Sequence, residues 1–189
     1  PEKEEMYFDD FSSFVEVQGV SKGLCGKSRP IHFRGVCTVV TKLFNIVKPD
    51  RAYFGQKDAQ QLAVVKRMVR DLNMDIEIVG CPIIREEDGL AKSSRNTYLS
   101  AEERKAAVIL SKSLKLGKEA IEKGERDSKK IIDIITNNIN TEKLAKIDYV
   151  EIVDPLSIEN IDKIENSALV AMAVYIGKTR LIDNFIYEV

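Results

Sequence analysis

At 189 residues, with 44% hydrophobic and 31% charged side chains, the chain has the composition of a soluble globular protein with room for one good core or two small ones. Its 29 Lys and Arg are balanced by 30 Asp and Glu, and a net charge of -1 gives no basic field to hold a nucleic-acid backbone or an anionic membrane. Any anion it binds must therefore be met locally. Cys25, Cys37 and Cys81 are widely spaced and accompanied by a single histidine, which suits neither a disulfide framework nor a Cys/His zinc site and points to a reducing cytoplasm. There is no run of 18 or more apolar residues, and the acidic start PEKEEMYFDD is unlike a signal peptide.

In chain order, Phe14 to Gly19 (FVEVQG) alternates apolar and polar residues and reads as a short strand with one buried face. A Gly, Ser and Lys-rich loop follows. From Arg34, the residues Val36, Val39, Val40, Leu43 and Val47 fall at helical spacing until Pro49 stops the pattern. Arg51 to Gly55 (RAYFG) reads as a buried strand, Leu62, Val65, Val69 and Leu72 mark a second amphipathic helix, and DIEIVGCPII is again strand-like. Helix, strand, helix, strand with short connections predicts a parallel α/β sheet with right-handed crossovers.

The character changes beyond Arg85, and a boundary is placed near residue 84. Ser100 and Glu103 have capping-box spacing ahead of one long helix through SAEERKAAVILSKSLKLGKEAIEKG. A further helix carries Ile131, Ile135 and Ile139 at four-residue spacing. Three strands close the chain, the last two joined through Gly177-Lys178, predicting a small antiparallel sheet packed on helices.

Two loops are candidate anion sites. In AYFGQKDAQQ, Gly55, Gln56, Lys57 and Asp58 lie where a strand passes into a helix, the place at which open parallel sheets collect ligands. Asp58 and Gln61 also have capping-box spacing, so this turn can be read as purely structural. Lys57 speaks for a ligand, since a cation beside the positive end of a helix is repelled unless an anion lies between them. In GLAKSSRN, Lys92 and Arg95 are suited to phosphate oxygens, Ser93 and Ser94 add neutral donors, and Gly89 suits a loop that closes over a nucleotide; the other reading is a solvated loop leading to Ser100. The lone His32, between Arg29 and Arg34 in KSRPIHFRG, is either a carboxylate-holding group or a structural donor.

The blocks RPIHFRGVCTVVTKLFNIVKPDRAYFGQKDAQQL, VRDLN and IIREEDGLAKSSRNTYLSAEER closely resemble the pantothenate synthetase (pantoate:beta-alanine ligase) family, densely from Phe14 to Glu103 and in pattern beyond. The resemblance implies a nucleotidyltransferase-superfamily fold, with residues 1–83 as the C-terminal half of a Rossmann-like ATP- and pantoate-binding domain and 84–189 as a lid domain. It implies condensation of pantoate with β-alanine through a pantoyl adenylate, with ATP and Mg²⁺, in a cytoplasmic homodimer. By position, Gly55, Gln56, Lys57 and Asp58 would bind ATP, Ile84 would meet adenine through its backbone, and Lys92 to Arg95 would be the loop equivalent to the superfamily's KMSKS motif. Gln61 would bind pantoate, and Lys57, Ser93, Ser94 and Arg95 would stabilise the reacting phosphates. None of these residues is expected to hold a protein-bound metal.

The chain departs from the family twice. Lys92 stands where the family usually has Met, and the family's front portion with its HIGH-like histidines has no counterpart here. The second departure implies a C-terminal portion with little activity alone. The alternatives are another adenylyl-transferring member of the superfamily, or a folded module for dimer contact without catalysis.

Overall fold

The apolar stripe of the first half winds His32–Val47 into the longest helix of the computed structural model, which describes residues 2–188. Two helical turns precede it, α1 (Lys3–Met6) and α2 (Cys25–Ser28), so the long helix is α3. It ends at Lys48, whose left-handed φ of 49° turns the chain just before Pro49. The strand β1 (Arg51–Gly55), the helix α4 (Ala59–Asp71) and the strand β2 (Glu77–Cys81) follow, and the two strands pair in parallel from Arg51 opposite Glu77 to Gly55 opposite Cys81. Strand β1 is not the buried strand expected, since Arg51, Tyr53 and Gly55 face outward and are exposed.

The expected strand at Phe14 to Gly19 does not form: residues 11–18 lie in no regular element. The segment instead runs beside α3. Its Val15 N–H donates to the Thr38 hydroxyl at 3.0 Å, and its Val17 is buried, so the alternation reflects one apolar face on a helix without a strand partner.

The single long helix expected after Ser100 is two, α5 (Ala101–Ala106) and α6 (Ile109–Glu122). Ala106, Ala107, Val108 and Leu110 are all buried, and one straight helix cannot turn so many near-consecutive residues inward. The chain changes direction between them. The capping box itself is present, with the Ser100 hydroxyl accepting from the Glu103 N–H and the Glu103 carboxylate accepting from the Ser100 N–H.

The helix α7 (Ser128–Ile139) and the strands β3 (Ala145–Val153), β4 (Ala168–Ile176) and β5 (Thr179–Tyr187) complete the chain. The sheet is antiparallel in the order β3-β4-β5, and the β4–β5 hairpin turns at Gly177, where φ is 56°. On α7, the four-residue spacing puts Ile131, Ile135 and Ile139 fully inside, against Leu110, Leu114 and Ile121 of α6. Gly117 lets the two helices close: a Cβ there would stand 2.6 Å from the Ile135 Cδ1.

Strand β4 explains how the two ends of the chain meet. Its residues Ala168, Val170, Met172, Val174 and Ile176 belong to the core under α6 and α7, while Leu169 and Ala171 belong to a second core with Phe33, Cys37, Val64 and Val65 from α3 and α4. A strand buried on both faces needs no polar alternation, which is why ALVAMAVYI has none. This placement brings the head of α4 and the β4–β5 hairpin side by side.

Candidate functional site

A cavity of about 230 Å³ opens where α4 begins, and its walls come from six stretches of chain. The turn ahead of α4 gives Lys57 and Asp58, and the first turn of α4 gives Gln61; the loop after β2 gives Ser93, Ser94 and Arg95; the stretch leading into α3 gives Arg29 and His32; β3 gives Tyr149, β4 gives Met172, and β5 gives Arg180 and Asn184. Both loops singled out as anion sites thus meet at one cavity. Of the nominated residues, Gly55, Gln56, Ile84 and Lys92 do not line it.

The turn is held from β5. After β1 the chain makes a 3-10 turn over Gln56–Asp58, and the Asn184 side-chain amide donates to the carbonyls of Gln56 (3.0 Å) and Lys57 (2.8 Å). The Asp58 side chain makes no capping bond to α4, which removes the structural reading of the Asp58 and Gln61 spacing. Its carboxylate lies 4.0 Å from the Lys57 Nζ instead, and the Lys57 side chain is only 19% exposed. A half-buried ammonium, the free N–H groups of a helix start and one partly exposed carboxylate favour an anion in the space between.

The second loop is tied down at several points. The Arg85 guanidinium makes two bonds to the Asp183 carboxylate, at 2.7 and 3.0 Å, and a third to the Gly89 carbonyl; Asp183 is buried. Arg104 grips Asp88 in the same bidentate way, and that hydrogen-bonded guanidinium holds the Asp88 carboxyl below its usual range. Gly89 (φ 94°) makes the turn between these anchors, so it acts as a corner where the sequence suggested a hinge. The loop then delivers Ser93, whose hydroxyl accepts from the Arg95 N–H, and Arg95, whose guanidinium donates to the Arg180 carbonyl at 3.2 Å.

Lys92 points to Glu86 at 3.7 Å, and Ile84 has an exposed side chain and a carbonyl that accepts from the Lys92 N–H. Arg34, grouped with His32 by sequence, stacks over the Phe14 ring at 4.6 Å and leaves the cavity to Arg29.

The sequence reading missed several groups. Gln60 is buried and orders the loop before α3: its amide donates to the carbonyls of Val20 (3.0 Å) and Gly23 (2.7 Å), and its oxygen accepts from the Cys25 N–H. The clue was its position four residues before buried Val64, a polar side chain on an apolar stripe. Asp183 and Asn184, two poor strand formers inside β5, carried a similar clue. Tyr149 stands 3.4 Å from the Cys25 sulfur, and burial followed by that thiol pushes its hydroxyl well above the usual range, so it stays protonated. Arg180 is held by Asp148 at 2.7 Å.

His32 is held below its ordinary value of 6.5, first by burial and then by the charges of Arg29 and Arg95, with Asp58 opposing. It is neutral at pH 7. Since the unfolded chain takes up this proton first, His32 makes stability rise with pH through the window below 6.5. An anion between His32 and the arginines reverses the balance, raising the midpoint and strengthening anion binding as pH falls. As the only histidine, it gives a single imidazole signal by NMR. The expected titration midpoint lies below 6.5 in the free protein and moves up when ATP or pantoate is added; a midpoint unmoved by either would remove His32 from the site.

Among the described residues no group of three or more Asp, Glu, His or Cys could hold a metal ion. In the cavity Asp183 is committed to Arg85, which leaves Asp58 as the available carboxylate. Such a set suits an ion carried in by a nucleotide's own phosphates.

The family model for Pantoate-beta-alanine ligase matches residues 1–186. The chain is 73% identical over 188 residues to the pantothenate synthetase of Enterococcus faecalis and 67% identical over 189 residues to that of Clostridium acetobutylicum, covering 100% of this chain and 67% of each relative. It superposes on the crystal structure of pantothenate synthetase from Thermus thermophilus with a TM-score of 0.92 at 43% identity, covering 96% of this chain and 66% of that one. A pantoate-beta-alanine ligase from Francisella tularensis, complexed with beta-gamma ATP and beta-alanine, gives a TM-score of 0.70 at 32% identity, over 97% of this chain and 61% of that one. The chain thus spans about two thirds of the length of these relatives.

Proposed function

The chain belongs to the pantoate-beta-alanine ligase family, and from that membership we propose that its cavity at the head of α4 joins pantoate to β-alanine, with cleavage of ATP to AMP and pyrophosphate. The observation that carries this reading is the meeting of Lys57 and Gln61 with Ser93, Ser94 and Arg95 around one cavity. The complex of the Francisella tularensis relative, named for beta-gamma ATP and beta-alanine, supports the same two ligands.

In the first step a pantoate carboxylate oxygen attacks the ATP α-phosphorus, the bond to the β-phosphate oxygen breaks, and pyrophosphate leaves. In the second, the β-alanine amine attacks the acyl carbon of the pantoyl adenylate and loses a proton, the bond from that carbon to the bridging oxygen breaks, and AMP departs with the bridging oxygen. Negative charge grows on the α-phosphate and the leaving pyrophosphate, so Lys57 and Arg95, with the hydroxyls of Ser93 and Ser94, are the stabilising groups. Gln61 orients pantoate, and the neutral His32 adds a donor. Mg²⁺ would enter with the nucleotide and neutralise part of its phosphate charge. Gly55, Gln56 and Asp58 shape the turn, and Ile84 offers backbone to adenine.

The reading includes residues 84–189 as the lid over the 1–83 portion and a cytoplasmic homodimer. The three cysteines are free, and among the described residues no helix is long and apolar enough to cross a membrane.

Lys92 is a proposed phosphate contact that must first leave Glu86. Because that pair is half-exposed and weak, it gives way readily, and Lys92→Met is expected to lower ATP affinity about tenfold, as for loss of one charged contact; an unchanged affinity by calorimetry would take its ammonium off the phosphates.

The deciding assay is AMP release with ATP, Mg²⁺, pantoate and β-alanine, omitting each substrate in turn, alongside ATP binding by calorimetry. AMP that appears only with both pantoate and β-alanine supports the ligase. Adenylate transfer to another acceptor, or no ATP binding at all, would sink it.

A further inference from the structure

A second cavity, of about 360 Å³, adjoins the first and shares Arg29, Arg95 and Arg180 with it. Its other walls are Tyr98, Lys178 and Thr179. Four cations thus converge on one open space from four parts of the chain: the end of α2, the loop after β2, the β4–β5 turn and the start of β5.

Their charges are poorly answered. Arg180 has Asp148 at 2.7 Å. Among the described residues neither Arg29, Arg95 nor Lys178 has a carboxylate within 4.0 Å. Lys27, two residues before Arg29, does have a partner, reaching Glu151 at 2.8 Å. Like charges gathered without counter-charges repel one another, and the repulsion is removed when a multivalent anion sits among them. The lowered proton affinity of His32, to which Arg29 and Arg95 contribute, reports the same positive field.

A longer anion suits this space better than a single phosphate, because the cavity measures about 360 Å³ and three of its four cations also line the first cavity. We propose that this second cavity is a subsite for a pyrophosphate group, with Lys178, Arg29 and Arg95 as its ligands and the Tyr98 hydroxyl at its rim. The group has two sources: the distal phosphates of a bound triphosphate, or inorganic pyrophosphate after the α–β bond has broken. This rests on the adenylation reading above and adds a station for its first product. The β4–β5 hairpin thereby acquires a ligand-holding role, since Lys178 lies at its turn.

Lys178 is exposed on that turn and lines only the second cavity, so it can be changed without touching the first. The test is calorimetric titration of the 189-residue chain and of its Lys178→Ala, Lys178→Glu and Lys57→Ala variants with sodium pyrophosphate, orthophosphate and the β,γ-imido analogue of ATP. Circular dichroism checks that each variant is folded. Pyrophosphate is expected to bind more tightly than orthophosphate and more weakly as salt is added. Its dissociation constant is expected to rise about tenfold in Lys178→Ala, as for loss of one charged contact, and further in Lys178→Glu.

If the ATP analogue weakens in parallel, the subsite holds the triphosphate tail; if only pyrophosphate weakens, it holds the released product. Either supports the proposal. Pyrophosphate affinity within twofold of the parent in both Lys178 variants, with a loss in Lys57→Ala, would confine the anion to the first cavity and overturn it while leaving the ligase reading intact. Failure of the parent chain to bind the ATP analogue while pyrophosphate binding still depends on Lys178 would instead count against the ligase reading alone.

Discussion

Replacing Lys57 with alanine is expected to lower AMP release by about 10²- to 10³-fold, the range found when one preorganised donor to a developing charge is removed. The ammonium sits in a cavity wall with its side chain 19% exposed, and its backbone carbonyl is clamped by Asn184. Little reorganisation is then needed when charge appears on the α-phosphate. Its one carboxylate neighbour, Asp58, is 4.0 Å away and 53% exposed, too weak a partner to cancel it. On the proposed reaction a contact from Lys57 would strengthen as the phosphate bond breaks, so kcat should fall more than KM rises. Arginine should rescue poorly, because its planar fork cannot occupy the place of a compact point charge. Steady-state AMP formation checks this, with ATP affinity as a second readout; a loss below threefold would show that Lys57 serves only the fold.

Asp183→Ala is the second large effect, and it acts through the loop. The carboxylate is buried at 2% residue exposure, accepts two bonds from Arg85 and a third from the Asn184 N–H. Breaking a buried pair by removing one partner costs about 3–5 kcal/mol, mainly because the remaining charge is stranded. The Arg85 side chain is 33% exposed and can reach water, which places the expected loss near the lower end, about 3 kcal/mol. For a chain of this size that lowers Tm by roughly 6–12 °C. Removing Arg85 in the same molecule should recover part of the loss, because no unpaired charge is then left; a double-mutant cycle with no coupling would contradict the account. ATP affinity should also fall. Arg85 anchors the loop at Asp183 and Gly89, and that loop carries Ser93, Ser94 and Arg95.

These two residues differ in how far they could be seen beforehand. Lys57 stands in a short motif whose local chemistry, a cation at a helix start, already asks for an anion. Asp183 stands in a strand where nothing nearby calls for a carboxylate. Its partner is 98 residues away. The same holds for Asn184, which clamps the Lys57 carbonyl across 127 residues, and for Arg180, which meets Cys25 across 155. Gln60 is intermediate: the helical stripe marks it as buried, but the loop it orders lies 35 to 40 residues upstream.

By itself the sequence determined the helices α3, α4 and α7, the five strands, the parallel pairing of β1 with β2 and the terminal hairpin, and it marked two loops as candidate anion sites. Those features depend on spacings of two to four residues and on the turn chemistry of Gly, Pro and Ser, all local quantities. Only the tertiary structure decided that Phe14 to Gly19 is no strand, that the helix after Ser100 bends, and that Lys92 and Arg34 turn away from the cavity. It alone supplied the partners of Asp183, Asn184, Gln60 and Arg180. A polar side chain's role depends on which group it faces, and that is settled when β4, buried on both sides, draws the two cores together.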